Sequence, residues 1–301
     1  MISSTRILQI KQDIFKDASV SDESAALEGV REDLTSSLRP DIFKEITTYK
    51  RGLIISSIAD AIADDDRAEL LKLTNWSHVN YDLSRATNRY GLVSASMNSW
   101  DNRTYLDAST FKFDQNSKNI DKFITALILQ RILAFNIQEK KRISEIFRQG
   151  KSLLWSPNQI ADQIKLTAGL NSVQQRTLFN IQKGLRAEGI SAGVIAKRTD
   201  AYIAKAITYR TVLTSEWEAS SSVNEGQLQL WNQLYEEDLL RDETRKEWLA
   251  ILDNLTGTAD RAMSGQIVPL NANFVDPTLT YAPLPRPPLR GNCRCTIQLI
   301  Y

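Results

Sequence analysis

The sequence predicts a mainly α-helical protein, with helical N-terminal and middle regions and a small α+β C-terminal domain. Three observations carry this. Of 8 prolines only Pro40 and Pro157 precede residue 269, and proline removes a backbone donor and clashes inside helices, so the tail is where helix is barred. Before that point apolar residues recur at three- and four-residue steps. At the end the period becomes two. Cys293, Cys295, Ile297, Leu299 and Tyr301 alternate with Arg294, Thr296, Gln298 and Ile300, as in a half-buried strand with the cysteines on its apolar face.

The elements follow in order. Ser21-Asp22 reads as a helix start with an acidic first turn, continued by Ala26, Leu27, Val30, Leu34 and Leu38. Pro40 suits the first turn of the next helix, carried by Ile42, Ile46, Leu53, Ile54 and Ile58. Residues 74–120 are crowded with Asn, Ser, Thr, Asp and Tyr at poor periodicity, which predicts a loop-rich insertion with short helices. One long helix is expected over 121–149, with Gly150 as its C-cap. Ser156-Pro157 starts a short helix over 158–166, and Asn171-Ser172 caps another over 173–188, closed by Gly189. Ser191 starts a third. Asp200 precedes a long helix reaching about residue 240, with Ala206, Tyr209, Leu213 and Trp217 on one stripe. Residues 247–252 (EWLAIL) fit a buried strand that could pair with the terminal one into a small sheet packed on the long helix. The expected division is a helical region over 1–120, carrying the insertion, and a second domain over 121–301. The latter holds helices to 240, then the small sheet and a proline-rich loop over 245–301.

Composition narrows the function. The 301 residues are 42% hydrophobic and 24% charged, an ordinary globular balance. With 37 Lys+Arg against 36 Asp+Glu, the net charge of +1 argues against a uniformly basic DNA coat. The charge is unevenly spread, however. Residues 131–210 hold 14 Lys/Arg and 5 Asp/Glu, a surplus of +9 between two acidic ends. Lys140, Lys141, Arg142, Arg148, Lys151, Lys183, Arg186, Lys197 and Arg198 are therefore candidate contacts to DNA or to an acidic partner. The competing reading is a set of solvated helix faces. The N-terminus is polar, and the most apolar run, 123–135, contains Gln130 and Arg131 and is too short to span a bilayer. A soluble protein made in a reducing cytoplasm, with no membrane partner, is expected.

One histidine, His78, and two cysteines exclude the common zinc modules and disulfide-stapled scaffolds. In a strand, positions i and i+2 lie about 6.6 Å apart, at the upper limit for an unstrained disulfide between Cys293 and Cys295. Zinc needs two further ligands, of which Asp260 could supply one oxygen. Buried, inert thiols on a core strand are the simpler reading. His78 lies near Ser77 and Asp82, but triads are made by geometry, and a loop histidine is expected. Asp64-Asp65-Asp66 and Glu236-Glu237-Asp238 read as solvated turns, since neither has the spaced ligands of a calcium loop. No glycine-rich phosphate loop is present. No catalytic residue, cofactor or small-molecule substrate is expected.

The C-terminal half carries a constellation of a different kind. Lys246-Glu247-Trp248-Leu249-Ala250-Ile251-Leu252-Asp253 is followed by Arg261-Ala262-Met263-Ser264-Gly265-Gln266-Ile267-Val268-Pro269-Leu270. After a proline-bearing loop come Pro287-Pro288 and then Asn292-Cys293-Arg294-Cys295-Thr296. Upstream, Gly169-Leu170-Asn171-Ser172-Val173-Gln174 leads through Gly189 to Tyr209-Arg210-Thr211-Val212. In order and spacing, residues 150–301 resemble the phage Mu F-like minor head proteins, or head-morphogenesis proteins, of tailed bacteriophages. That family's form is a Trp-containing strand ending in Asp, a helix leading to a Gly-Gln-Val-Pro turn, and a terminal Asn-Cys-Arg-Cys strand.

The resemblance implies a structural viral protein of the virion, made in the host cytoplasm and located in the head interior or at the portal vertex. Its expected partners are portal protein, major capsid protein and packaged DNA. Arg210, Trp248, Asp253, Gly265, Gln266, Pro269, Asn292, Cys293, Arg294 and Cys295 are the positions it marks as scaffold. The family commonly has His where Asp260 stands and His-Pro where Arg290-Gly291 stand, a set that with the two cysteines would make four metal ligands. Both histidines are absent here, and Val212 replaces the glutamate of the family's Arg-Thr-Glu. The alternative implied function is an enzyme, nuclease or toxin-like, with Asp253, Asp260, Arg210 and Glu216 as its polar cluster. A cellular DNA-packaging factor is a third.

Overall fold

A computed structural model of the chain describes residues 4–101, 111–252, 254, 256–291 and 293–300. It is mainly helical with one small antiparallel sheet, as the sequence predicts. The helices are α1 (Ser4–Gly52), α2 (Ile55–Ala63), α3 (Arg67–Leu73), α4 (Asp82–Asp101), α5 (Lys118–Ser152), α6 (Pro157–Leu166), α7 (Ser172–Ala187), α8 (Ala192–Glu236) and α9 (Thr258–Met263). The strands are β1 (Arg245–Leu249), β2 (Ile267–Pro269) and β3 (Thr296–Ile300). The chain forms two compact units, each drawn from separated segments: 1–38, 85–124 and 213–301 in one, 39–84 and 125–212 in the other.

The second unit is all helical. Its core includes Ile42, Ile46, Leu53, Ile58, Trp76, Ile143, Ile146, Ile160 and Ile164. Two caps read from sequence are present as complete capping boxes, Ser156 with Gln159 and Asn171 with Gln174. Gly189 ends α7 at a φ of +71°, where a side chain would be strained. Asp66 of the triple aspartate accepts from the Glu69 amide at 2.9 Å and caps α3, a role beyond that of a solvated turn.

Several boundaries differ from expectation. Pro40 lies inside α1 rather than opening a helix, and no break precedes Ser21. The run through Ile58 divides at Leu53 and Ile54, and Ile54 is exposed. Gly150 lies within α5, which continues to Ser152. The helices expected from Ser191 and Asp200 are one, α8. On α8 Tyr209 is exposed, and the buried face there is Ile203, Ala206, Ile207 and Arg210.

The larger correction concerns 74–120. Residues 82–101 form the regular helix α4, and 102–110 lie outside the described residues. Its inward face is partly polar, with Asn88, Leu92, Ala95 and Ser96 all buried, so apolar periodicity alone could not reveal it. Its partner in the sheet-bearing unit is the segment 218–231 of α8, in which every residue is buried. Asn88 donates to Glu218 at 2.8 Å and accepts from Ser222 at 2.9 Å, while Ser96 donates to the Gly226 carbonyl at 2.8 Å. Gly226 permits this approach: a Cβ there would stand 2.4 Å from the Leu92 carbonyl oxygen.

The sheet has strand order β2-β1-β3, with both pairings antiparallel. Trp248 on β1 is fully buried and meets Phe274 edge-on at 5.3 Å. Leu230, Trp231 and Leu234 of α8, Met263 of α9, and Ile297 and Leu299 of β3 complete this core.

Candidate functional site

Of the residues marked as scaffold, Trp248, Gly265, Gln266, Pro269, Cys293, Arg294 and Cys295 lie in or beside the sheet, whereas Arg210 lies in the helical unit. Gly265 takes a φ of +82°, and its amide donates to the Trp248 carbonyl at 2.8 Å, extending the β1–β2 pairing by one step. The Gln266 amide group pairs with the backbone of Val275 in both directions, donating at 3.0 Å and accepting at 2.8 Å. Pro269 ends β2, an edge strand, where a missing amide costs no ladder bond. Cys293 and Cys295 are buried, and Arg294 between them is half-buried, so the expected alternation holds, although β3 itself begins only at Thr296. Asp253 and Asn292 lie outside the described residues.

The α9 helix brings Asp260 onto the two thiols. Its Oδ1 accepts from Cys293 Sγ at 3.1 Å and Cys295 Sγ at 3.5 Å, and Oδ2 accepts from Arg290 at 3.0 Å. Asp260 is almost wholly buried, and both cysteines are free thiols. The hydrogen bond with Cys293, and then burial, pushes the Cys295 thiol well above its ordinary range, so it keeps its proton.

Three candidate metal ligands thus lie within 4.8 Å of one another. The set does not fit a four-ligand structural zinc. The guanidinium of Arg290 beside the set already neutralises the carboxylate and donates nothing to a metal. What the arrangement provides is a closed polar latch tying α9 to the chain before β3.

A second group of residues, not singled out by the sequence, covers the outer edge of residues 293–297, which run into β3. From α8, Ser220 donates to the Cys293 carbonyl at 3.3 Å, Asn224 to that of Cys295 at 3.3 Å, and Gln227 to that of Ile297 at 3.4 Å. Helical steps of four and three meet strand steps of two, so three side chains reach three successive outward carbonyls. The signal was present as a polar helical stripe, but a polar stripe ordinarily faces water.

Within the helical unit, Arg210 donates to the Gly169 carbonyl at 2.7 Å and lies over the Phe135 ring at 4.0 Å. Burial pulls its pKa down to about 10. Tyr49, stacked on Trp76, donates to Glu139 at 2.6 Å, and burial raises its phenol well above the usual range. Arg142 is fully buried, bonded to Glu139, Thr167 and the Ile164 carbonyl, so it cannot belong to a basic surface. Lys140, Lys141, Arg148, Lys151, Lys183, Arg186, Lys197 and Arg198 are exposed. His78 is exposed beside the Lys72 carbonyl, at 3.2 Å. No helix among the described residues is long and apolar enough to cross a membrane.

Compared with family models, curated proteins and solved structures, the chain matches none of them.

Proposed function

We propose that this chain is a non-enzymatic minor head protein of a tailed phage, which docks on portal or capsid protein and aids head morphogenesis, with packaged DNA as a further contact. The observation that supports the reading is the convergence of the C-terminal motif segments. Trp248, Gly265, Gln266, Cys293 and Cys295, scattered over some fifty positions, meet in one three-stranded module and serve its backbone and core. Asp260, a candidate in the enzymatic reading, is held by Arg290 and two thiols, which favours a structural part for it.

Pull-down of purified portal and major capsid proteins by the intact chain tests the proposal. Retention of either is the expected result. Failure to retain both, together with nuclease activity lost in Asp253→Ala, would favour the enzyme instead.

A further inference from the structure

Three of the basic residues expected to face a partner line one groove of the helical unit. Lys140, Lys141 and Arg148 of α5 border a hollow of about 460 Å³ whose opposite wall is α7, which contributes Arg176. Ser144 and Ser172 complete the lining with Glu145, so four cations face one carboxylate. Arg176 was not among the sequence candidates, because nothing in the linear order places it beside α5.

Glu145 does more than lower the charge. Its side chain is only 10% exposed, and it takes both Arg148 Nη2, at 2.5 Å, and Arg176 Nε, at 3.6 Å. Its hydrogen bond to Arg148 holds its pKa below the usual carboxylate range, so it stays ionised. The two arginines keep most of their surface, with side chains 68% and 62% exposed. A nearly buried anion thus anchors two guanidinium groups at the rim while leaving donors on each facing outward, which reduces the entropy lost when they engage an anion.

The geometry points to this groove as a docking surface for the phosphate backbone of duplex DNA, without sequence preference. Every lining side chain is polar or charged. A protein partner would call for apolar or aromatic anchors at its centre, and single strands for aromatic stacking platforms. Neither is among the lining residues. Lys140, Ser144 and Arg148 stand at four-residue steps along one face of α5, about 12 Å end to end at 1.5 Å per residue, so one strand's backbone can meet both charges. The inference rests on the packaged-DNA part of the proposed function and is separable from portal docking.

The test is fluorescence anisotropy of a labelled random-sequence duplex with the full chain across a salt series. The wild type should bind with log K falling linearly against log salt. Lys140→Gln/Lys141→Gln should reduce that slope by about two, and adding Arg148→Gln and Arg176→Gln by about four. Lys183→Gln/Arg186→Gln, exposed on α7 outside the groove, should reduce it less than the first pair. Circular dichroism checks folding, and the lysine pair touches no ion pair, so it keeps the test decisive should the quadruple variant unfold. No duplex binding by the wild type, or an unchanged slope in the lysine pair, overturns the inference. So does loss of portal binding in that pair with DNA binding intact, which would assign the groove to an acidic protein. Portal binding retained while duplex binding is lost supports it and leaves the docking proposal standing.

Discussion

Asn224 donates its side-chain amide to the main-chain carbonyl of Cys295, 3.3 Å away, from a helix position where it is fully enclosed. With Ser220 and Gln227 it pairs three alternate carbonyls along residues 293–297, two just before β3 and one on it. Open sheet edges invite pairing with other chains, and a polar helical stripe is one way to close them. Asn224→Leu should destabilise the protein by about 1–3 kcal/mol, since the carbonyl is left buried without its donor. Hydrogen exchange in Thr296–Ile300 should accelerate, as seen by mass spectrometry, and denaturant titration should show the lower midpoint.

Lys246 stands on the central strand β1, opposite Leu299 and Val268, almost wholly buried, with its ammonium 5.4 Å from the Phe274 ring. Burial lowers its pKa to about 8, against an attraction from Glu225 that raises it. Between that pH and the ordinary lysine pKa the unfolded chain binds the proton and the folded one does not, so this residue adds stability as pH rises through the window. Below it, holding the buried charge costs stability. Lys246→Met should therefore stabilise by about 2 kcal/mol at neutral pH, with the advantage shrinking towards zero at about pH 10.5. Paired urea titrations of both proteins across that range read the difference.

The latch at Asp260 calls for a metal-independent fold. Asp260→Asn should lower stability by about 2 kcal/mol, because the amide leaves Arg290 without its counter-ion and brings a donor against it. Chelator should leave the melting temperature of the wild type unchanged, and added zinc should not raise it. A rise with zinc, measured by calorimetry, would show that the two thiols and the carboxylate do hold an ion.

Two glycines separate steric from conformational demand. At Gly226 a new Cβ meets the Leu92 carbonyl at 2.4 Å, backbone against backbone, whereas at Gly265 the nearest atom is 4.0 Å away and only the φ of +82° resists. Gly265→Ala should cost about 1 kcal/mol of backbone strain. Gly226→Ala should cost more, roughly 3 kcal/mol, because α4 and α8 must separate there. Thermal denaturation ranks the two.

These positions show where the sequence was informative. The mainly helical class, both capping boxes and the alternation around the cysteines follow from local chemistry, which is why the order of residues suffices. Helix α4, and the complete burial of segment 218–231 in the expected long helix, were illegible because the two bury polar side chains against one another. Asn88, Ser222 and Asn224 satisfy partners more than sixty positions away, and periodicity counts such residues as surface. Arg142 was misplaced for a related reason: a buried arginine reads as surface unless Glu139 and Thr167 are known to surround it. Arg176 reached the groove only through the folding of α7 against α5.

The proposed function requires incorporation into a phage head. Particles assembled in cells from capsid protein, portal protein and this chain, then purified and analysed by quantitative mass spectrometry, test it most directly. The chain should remain in the particles at a few copies each, and fall away when portal protein is omitted. Its absence from particles that contain portal would rule out a place in the head.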